Sequence, residues 1–119
     1  TRTARCACGA LCLDVSGEPL HVHAWICTDC QRSSGSAMTL SAWFADQSVT
    51  ICGPYTKRFH HADAEPDRFQ AFCPTCGSGR FFRSGAGYPG TYGIAVGSFA
   101  DPQFPAASLS YIKPVAQNG

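Results

Sequence analysis

Along the chain, no long window carries apolar side chains at helical spacing, and glycine or proline interrupts most windows. A helix needs an apolar residue at every third or fourth position. Short stretches with apolar residues instead stand between turn signals such as Cys52-Gly53-Pro54 and Tyr88-Pro89-Gly90. The pattern therefore predicts an all-β fold of short strands, at residues 10–15, 20–26, 37–44, 49–51, 57–61, 70–72, 79–82, 91–96 and 109–112.

Residues 29–36 are the best candidate for a helical turn. Asp29 can cap the amides that follow it, but Gly35 and the neighbouring serines keep any helix short, so a loop is the alternative. Near the C-terminus, residues 101–105 indicate a loop and residues 115–119 a frayed end. No linker or internal repeat divides the chain, and we expect residues 1–119 to form a single domain.

Charge and hydropathy argue against two classes of partner. Nine basic residues against eight acidic ones leave a net charge of +1 without a basic cluster, so nucleic acid is not an expected partner. No run of residues approaches the roughly 18 apolar positions that span a bilayer, and no basic segment followed by an apolar one opens the chain. We therefore expect a cytoplasmic protein that has no membrane partner.

Eight cysteines dominate the composition, and most of them stand in C-x-C or C-x-x-C pairs. Disulfide frameworks of secreted domains scatter their cysteines, whereas these spacings let one turn present two thiolates to one metal ion. The pairs Cys6/Cys8 and Cys73/Cys76 are each followed by glycine, which allows the sharp turn of a zinc knuckle. Together they predict one zinc ion with all four coordination positions filled, and hence a structural role.

Three blocks of sequence, in their order and spacing, resemble the glutathione-dependent formaldehyde-activating enzyme family, to which centromere protein V is also similar. The blocks are Cys6-Ala7-Cys8-Gly9-Ala10, Cys27-Thr28-Asp29-Cys30 and Phe72-Cys73-Pro74-Thr75-Cys76-Gly77-Ser78. A later segment, Gly93-Ile94-Ala95-Val96-Gly97-Ser98-Phe99 followed by Asp101-Pro102, resembles the family's late strand and turn. The resemblance runs to about Pro114. It implies twisted antiparallel sheets around a structural zinc ion on Cys6, Cys8, Cys73 and Cys76, a fold sometimes described as a β-tent.

The family also has a second, catalytic zinc ion, held by three cysteines in a C-x-C-x-x-C arrangement with the fourth position open to the thiol of glutathione. Cys27 and Cys30 match the second and third of these cysteines, and the resemblance implies that they are catalytic zinc ligands. Trp25 stands in the place of the first, and an indole N–H cannot bind a metal. The sequence therefore leaves the second zinc ion open.

Other residues have the chemistry to replace the missing cysteine. His23 would share a strand face with Cys27, which makes it the nearest candidate. Cys52 and the pair His60/His61 are alternatives only if the fold brings them close. A histidine on a half-buried strand, however, is more often hydrogen-bonded than metal-bound.

Arg32, which follows Cys30 by two positions, is the candidate for substrate binding. Its planar guanidinium, together with the amides after Asp29, suits a carboxylate of glutathione, the expected co-substrate. The alternative is an ordinary solvent-exposed side chain. Several aromatic residues could line a pocket, but aromatics in short strands more often belong to the core. They are Phe44, Phe59, Phe81, Phe82 and Tyr92.

Two hypotheses of function remain. The first is a carbon–sulfur lyase that acts on a thiol–aldehyde adduct such as S-hydroxymethylglutathione, with Cys27 and Cys30 as ligands of the working zinc ion. The second is a non-catalytic β-module, stabilised by the structural zinc, that binds a small molecule or a protein and has lost the catalytic zinc with Trp25. We favour the first because of the matching cysteines. The sequence determines neither the thiol, the aldehyde nor the oligomeric state.

Overall fold

Short β-strands form most of the regular structure of the protein. The structure is a computed structural model that describes residues 1–25, 28–59, 68–85, 88–105 and 109–111. Among these residues, one α-helix, α1, covers Thr28–Ser34, and two 3-10 helices cover Asp46–Ser48 and Val96–Phe99. The strands are β1 (Arg2–Arg5), β2 (Cys12–Val15), β3 (His21–Trp25), β4 (Thr39–Ala45), β5 (Val49–Cys52), β6 (Thr56–Phe59), β7 (Arg68–Phe72), β8 (Phe81–Ser84), β9 (Thr91–Ala95) and β10 (Leu109–Tyr111). The prediction of a mainly β fold is confirmed.

Most strands lie where they are predicted, with ends that shift by a residue or two. Strand β1 was not predicted, because its four residues contain a single apolar one, Ala4, and give no alternation. The candidate turn at residues 29–36 is helical and forms α1, which ends just before Gly35. Of the predicted strands, Ile26, the pair His60/His61 and Ile112 lie outside the described residues.

The strands form two sheets. The small sheet has the order β1-β2-β5 and is antiparallel throughout. The large sheet has the order β10-β3-β4-β9-β8-β7-β6. Its neighbours pair antiparallel, as predicted, except that β10 lies parallel to β3. No helix among the described residues is long and apolar enough to span a membrane.

A hydrophobic core joins the two sheets. The small sheet contributes Ala4, Leu13 and Val15, each at most 1% exposed. The large sheet contributes a row of apolar residues that the strand register aligns side by side across five strands. This core row is Val22, Ala42, Ile94, Phe81 and Ala71. Phe44 and Phe81 are fully buried in the core, as predicted for aromatic residues on short strands.

One residue further along the same strands, the register aligns a second row of different character. Side chains alternate along a strand, so this outer row lies on the face of the large sheet turned away from the core, which we call the outer face. Gly93 of the outer row is required by its neighbour, since a Cβ there would lie 2.5 Å from the ring of Trp43. The outer row is His21, Trp43, Gly93, Phe82, Gln70 and Arg58.

Candidate metal centre and outer-face cleft

Four cysteines from two loops that are distant in sequence meet at one point. Cys6 and Cys8 follow β1, and Cys73 and Cys76 follow β7. Their Sγ atoms all lie within 4.8 Å of one another. The distance is 3.6 Å between Cys6 and Cys8 and 3.7 Å between Cys8 and Cys73. A tetrahedral zinc ion with Zn–S bonds of about 2.3 Å needs sulfurs about 3.8 Å apart, so the donor set fits zinc.

The two cysteine loops are built alike. In the first, the amide of Cys6 donates to the carbonyl of Leu11 at 3.0 Å, and in the second the amide of Cys73 donates to the carbonyl of Ser78 at 2.9 Å. Each loop also brings a polar group to a sulfur. The Leu11 amide donates to Sγ of Cys6 at 3.2 Å, and the Ser78 hydroxyl lies 3.1 Å from Sγ of Cys76. Such donors stabilise metal-bound thiolates.

Glycine lets the loops turn and approach each other. Gly9 and Gly77 have φ angles of 83° and 76°, in the left-handed region that their position after each cysteine pair predicts. Gly79 is needed for a different reason. A Cβ on Gly79 would lie 2.7 Å from Cβ of Cys6, so any side chain there would push the two loops apart.

The thiols of the cluster influence one another's ionisation. A backbone amide lowers the pKa of Cys6, and the Ser78 hydroxyl lowers the pKa of Cys76 to about 5. For Cys8, the Ala10 amide acts in the same direction, but the neighbouring sulfurs outweigh it and raise the pKa to about 11. Four sulfurs at these distances therefore resist full ionisation on their own. A divalent cation removes that penalty, which is the condition a zinc site of four cysteines must meet.

The cluster lies where the two sheets meet. Cys6 continues from β1 of the small sheet and Cys73 from β7 of the large sheet, and both side chains are buried. Cys8 and Cys76 are exposed. An ion bound here would join the small sheet to the large one, which is the structural role predicted from the spacing of the cysteines.

The second cysteine pair is described only in part. Cys27 and the side chain of Cys30 lie outside the described residues, although Cys30 belongs to α1. Trp25, which stands in the place of the missing cysteine, is half-buried and stacks on His23 with ring centroids 5.3 Å apart and planes at 12°. The break in the cysteine pattern thus corresponds to an aromatic stack on the outer face.

Of the residues considered as replacement ligands, the structure describes His23 and Cys52, and these two lie on different sheets. His23 is 1% exposed, and its Nε2 lies 3.2 Å from the hydroxyl of Tyr88, a polar contact typical of a histidine on a strand. Cys52 is exposed at the end of β5, on the small sheet, whereas His23 belongs to the large one. The pair His60/His61 lies outside the described residues. Within the part of the chain that the structure describes, the four-cysteine cluster is the one group of three or more potential metal ligands.

Two histidines belong to an aromatic cluster on the outer face. The rings of His21 and His23 lie 4.6 Å apart, and that of Tyr88 lies 4.9 Å from His21. Trp43 contributes an indole that donates to Ser41 at 3.0 Å. Nε2 of His21 and Nδ1 of His23 are buried and have no hydrogen-bond partner among the described atoms. Burial, and secondarily His21, lower the pKa of His23, so its ring is held in the neutral form.

A cleft of about 360 Å³ opens on the outer face between α1 and the strands β6 and β7. Three arginines line it: Arg32 from α1, Arg58 from β6, and Arg80, which directly precedes β8. Arg32 is a candidate from the sequence alone, whereas Arg58 and Arg80 are not. Side chains alternate between the two faces of β6, so the sequence could assign Arg58 to one face. Only the pairing of β6 with β7, however, brings Arg58 beside the other two arginines. The rest of the described lining is Ser33, Gln70, Phe72 and Gly77.

Arg80 is held in one orientation by its neighbours. Its guanidinium donates to Oε1 of Gln70 at 2.6 Å and to Oγ of Ser33 at 3.3 Å. The same group lies over the ring of Phe82, 5.3 Å from the centroid. Gly77, which lines the cleft, directly follows Cys76, so the cleft adjoins the cysteine cluster.

The fold and the site define a class: small, mainly β proteins in which four cysteines from two loops form a cluster between two sheets that is compatible with a metal ion. A family model described as glutathione-dependent formaldehyde-activating enzyme matches residues 1–116. The chain belongs to this family, as the resemblance of its cysteine blocks implies.

A solved structure supports the fold independently. The crystal structure of a Rhodobacter sphaeroides protein is similar to this chain with a TM-score of 0.65 and 19% sequence identity, over 92% of this chain and 99% of that chain. At this identity the similarity concerns the fold. No curated protein matches the chain significantly.

Proposed function

We propose that the protein is a zinc-dependent carbon–sulfur lyase of its family's type, acting on the adduct of a thiol and an aldehyde such as S-hydroxymethylglutathione. The observation that carries the proposal is the complete four-cysteine cluster in a chain that matches the family model over residues 1–116. A cytoplasmic location is part of the proposal, because reduced cysteines and glutathione occur together there.

The proposal assigns separate roles to the residues of the chain. Cys6, Cys8, Cys73 and Cys76 bind the structural zinc, and Cys27 and Cys30 contribute ligands for a second ion. A second zinc ion would supply a cation that favours the thiolate form of the substrate. Arg32 binds a substrate carboxylate, which its position in the outer-face cleft supports. The partner is thus a small molecule, with neither nucleic acid nor a membrane involved.

One observation favours the second hypothesis, a non-catalytic module. Trp25 is stacked on His23 at the position of the missing ligand, so a large apolar ring stands where the family places a metal-binding thiol. A protein with this arrangement would keep the structural ion and bind its small molecule without turnover.

Zinc content separates the two functions. Elemental mass spectrometry on protein purified under reducing conditions, without chelator, should give two zinc ions per chain for the lyase, one of them lost on mild chelation. The same preparation should also accelerate the exchange of formaldehyde between its free form and its adduct with glutathione. NMR measures this rate against the rate in buffer alone. One tightly held ion and no exchange would establish the module instead.

The variant Trp25→Cys tests the cause of either result, with Trp25→Phe as the matched control that removes the indole without adding a thiol. If the missing ligand limits activity, only the cysteine variant gains zinc and exchange activity. If both variants behave like the parent protein, the pocket itself has diverged from the family's chemistry.

A further inference from the structure

Two cysteines, Cys12 and Cys52, belong neither to the four-cysteine cluster nor to the cysteine pair that the proposed function uses. Cys12 begins β2 and Cys52 ends β5, and these strands are antiparallel neighbours in the small sheet. The strand register places the two cysteines directly opposite each other. The fold thus brings together two thiols that stand about 40 residues apart in the sequence.

The two thiols share the face of the small sheet that is turned away from the core. Leu13, the residue after Cys12, is 1% exposed and packs in the core, so Cys12 projects to the opposite side. Cys12 is half-buried and Cys52 is exposed. Arg5 of β1 lies opposite Cys12 on its other side, so the row continues across all three strands. A small molecule can therefore reach Cys52 directly from the solvent.

The separation across such a pair suits a disulfide bond. Residues directly opposite each other on antiparallel strands have Cα atoms about 4.5 to 5.5 Å apart, and disulfides span Cα distances of about 4.4 to 6.8 Å. The Cβ atoms of such a pair need to approach each other by only roughly 1 Å. Because β5 stands at the end of the order β1-β2-β5, it can move this far without displacing another strand of the small sheet.

The chain just beyond the pair keeps the two strands in contact. Gly53, which follows Cys52, has a φ angle of 98°, and a Cβ there would lie 1.9 Å from the carbonyl oxygen of Ala10. The backbone after β5 therefore touches the backbone ahead of β2, an approach that requires glycine at this position. Fixed proximity of this kind favours reaction of Cys52 with Cys12 over reaction with a cysteine elsewhere.

We propose that Cys12 and Cys52 form a modification site, at which a small disulfide from solution oxidises the two thiols to a disulfide bond. Cys52 reacts first because it is the more exposed thiol. Its thiolate attacks one sulfur of the small disulfide, the S–S bond breaks, and the other half leaves as a thiol. The thiolate of Cys12 then attacks Sγ of Cys52, and the second half leaves as a thiol. The protons of the two cysteines end on the two released thiols, so two cysteines are oxidised and one small disulfide is reduced.

The ionisation of Cys12 agrees with its second place in this order. Burial, followed by the charges of Cys52 and Asp14, raises the pKa of Cys12, whereas Arg5 acts in the opposite direction. A thiol with a raised pKa holds less thiolate and is the poorer first nucleophile. Its attack on the mixed disulfide is intramolecular, which compensates for this. Neither step involves a zinc ion or the outer-face cleft, so the site is independent of the proposed function.

Hydroxyethyl disulfide, a small uncharged disulfide, tests the site in protein purified under reducing conditions without chelator. After incubation, the remaining thiols are blocked and the protein is digested with trypsin without reduction. Trypsin places Cys12 on the peptide of residues 6–32 and Cys52 on the peptide of residues 33–57, where Cys52 is the one cysteine. We expect mass spectrometry to detect a disulfide bond between these two peptides.

Two variants identify the partners. Cys12→Ser should lose the bond between the peptides and should accumulate the mixed disulfide on Cys52, because the second thiol is missing. Cys52→Ser should form neither product and, in the reduced state, should melt like the parent protein, since this side chain is exposed. Neither cysteine belongs to the hydrophobic core, so both variants should keep the circular dichroism spectrum of the parent protein.

Calorimetry then shows whether the bond fits the native strands. A bond that closes a loop of about 40 residues restricts the unfolded chain, so the oxidised parent protein should melt at a higher temperature than the reduced one. Three results would each overturn the site: no bond between the peptides in the parent protein, an equal yield of that bond in Cys12→Ser, or an oxidised protein that melts no higher than the reduced protein.

Discussion

The core row and the outer row lie one residue apart on five strands of the large sheet, and the outer row continues onto β6, yet the two rows differ in side-chain chemistry. Every member of the core row is apolar and at most 2% exposed. The outer row contains an imidazole, an indole, an amide and a guanidinium, and α1 and the arginine cleft lie on its side of the sheet. Because successive residues of a strand face opposite ways, a step of one residue separates the apolar core from the face on which the cleft opens. Substitutions should therefore separate the two as well.

The largest loss of stability is expected at the cysteine cluster, which joins the small sheet to the large one. Cys73 is 0% exposed, and Cys73→Ser replaces a thiolate ligand by a hydroxyl of similar size. The free energy of zinc binding stabilises the folded state directly, and it exceeds the roughly 5 kcal/mol of unfolding free energy that is typical of a small domain. We expect the variant to contain no stoichiometric zinc and to show no cooperative transition in differential scanning calorimetry.

Cys52→Ser is the matched control, because Cys52 is exposed and lies outside the cluster. It should keep the zinc and the melting temperature of the parent protein. A Cys73→Ser variant that melts like this control would show that the four cysteines do not hold a structural ion.

The second-largest loss of stability is expected for an aromatic residue in the core, which we compare with an aromatic residue on the outer face. Phe44 is 1% exposed in the core, and Phe44→Ala should cost about 3 to 5 kcal/mol of unfolding free energy. Phe82 of the outer row is half-buried, so Phe82→Ala should cost clearly less in urea unfolding. Phe82→Ala should instead weaken binding of glutathione in titration calorimetry, since Arg80 lies over that ring and lines the same cleft as Arg32. Equal losses of stability would mean that the outer face is a second core.

A smaller effect is expected where the two cysteine loops touch. Gly79 and Gly17 both have a φ angle of 74°, so alanine is equally strained at either backbone. Only at Gly79 would the new Cβ meet the other loop, at Cys6, whereas at Gly17 nothing lies within 4 Å. Gly79→Ala should therefore lose about 1 to 3 kcal/mol more than Gly17→Ala in urea unfolding, the usual cost of overpacking. If the two variants are equally stable, the loops can separate without cost.

The sequence predicted the core side of this comparison better than the outer side. Turn residues and paired cysteines are local signals, so they located most strands and the Cys6/Cys8 and Cys73/Cys76 pairs, whereas Phe82, expected in the core, lies on the outer face. Strand β1 escaped because it has almost no alternation, and the mixed helical and loop signal at residues 29–36 became definite only as α1.

The arginine cleft could not be predicted from the sequence. Arg58 and Arg80 meet Arg32 only because β6, β7 and β8 pair in sequence order at one edge of the large sheet and α1 lies over that edge. Their spacing in sequence carries no signature, unlike the spacing of metal-binding cysteines. The contact between Trp43 and Gly93 also depends on long-range strand pairing, so neither residue predicts it on its own.

The smallest effect concerns the outer face and its histidines. Burial lowers the pKa of His23 below its ordinary value of 6.5, so the unfolded chain binds a proton more readily than the folded one. Stability that depends on neutral His23 is thus fully present above about pH 6.5 and is lost as the pH falls through that value towards the lowered pKa. His21 and Tyr88 face the ring and offer no carboxylate to hold a proton there. Urea unfolding at about pH 7.5 and about pH 5.5 should therefore show a smaller loss of stability in His23→Gln than in the parent protein. A loss of the same size in both would mean that groups other than His23 cause the pH dependence.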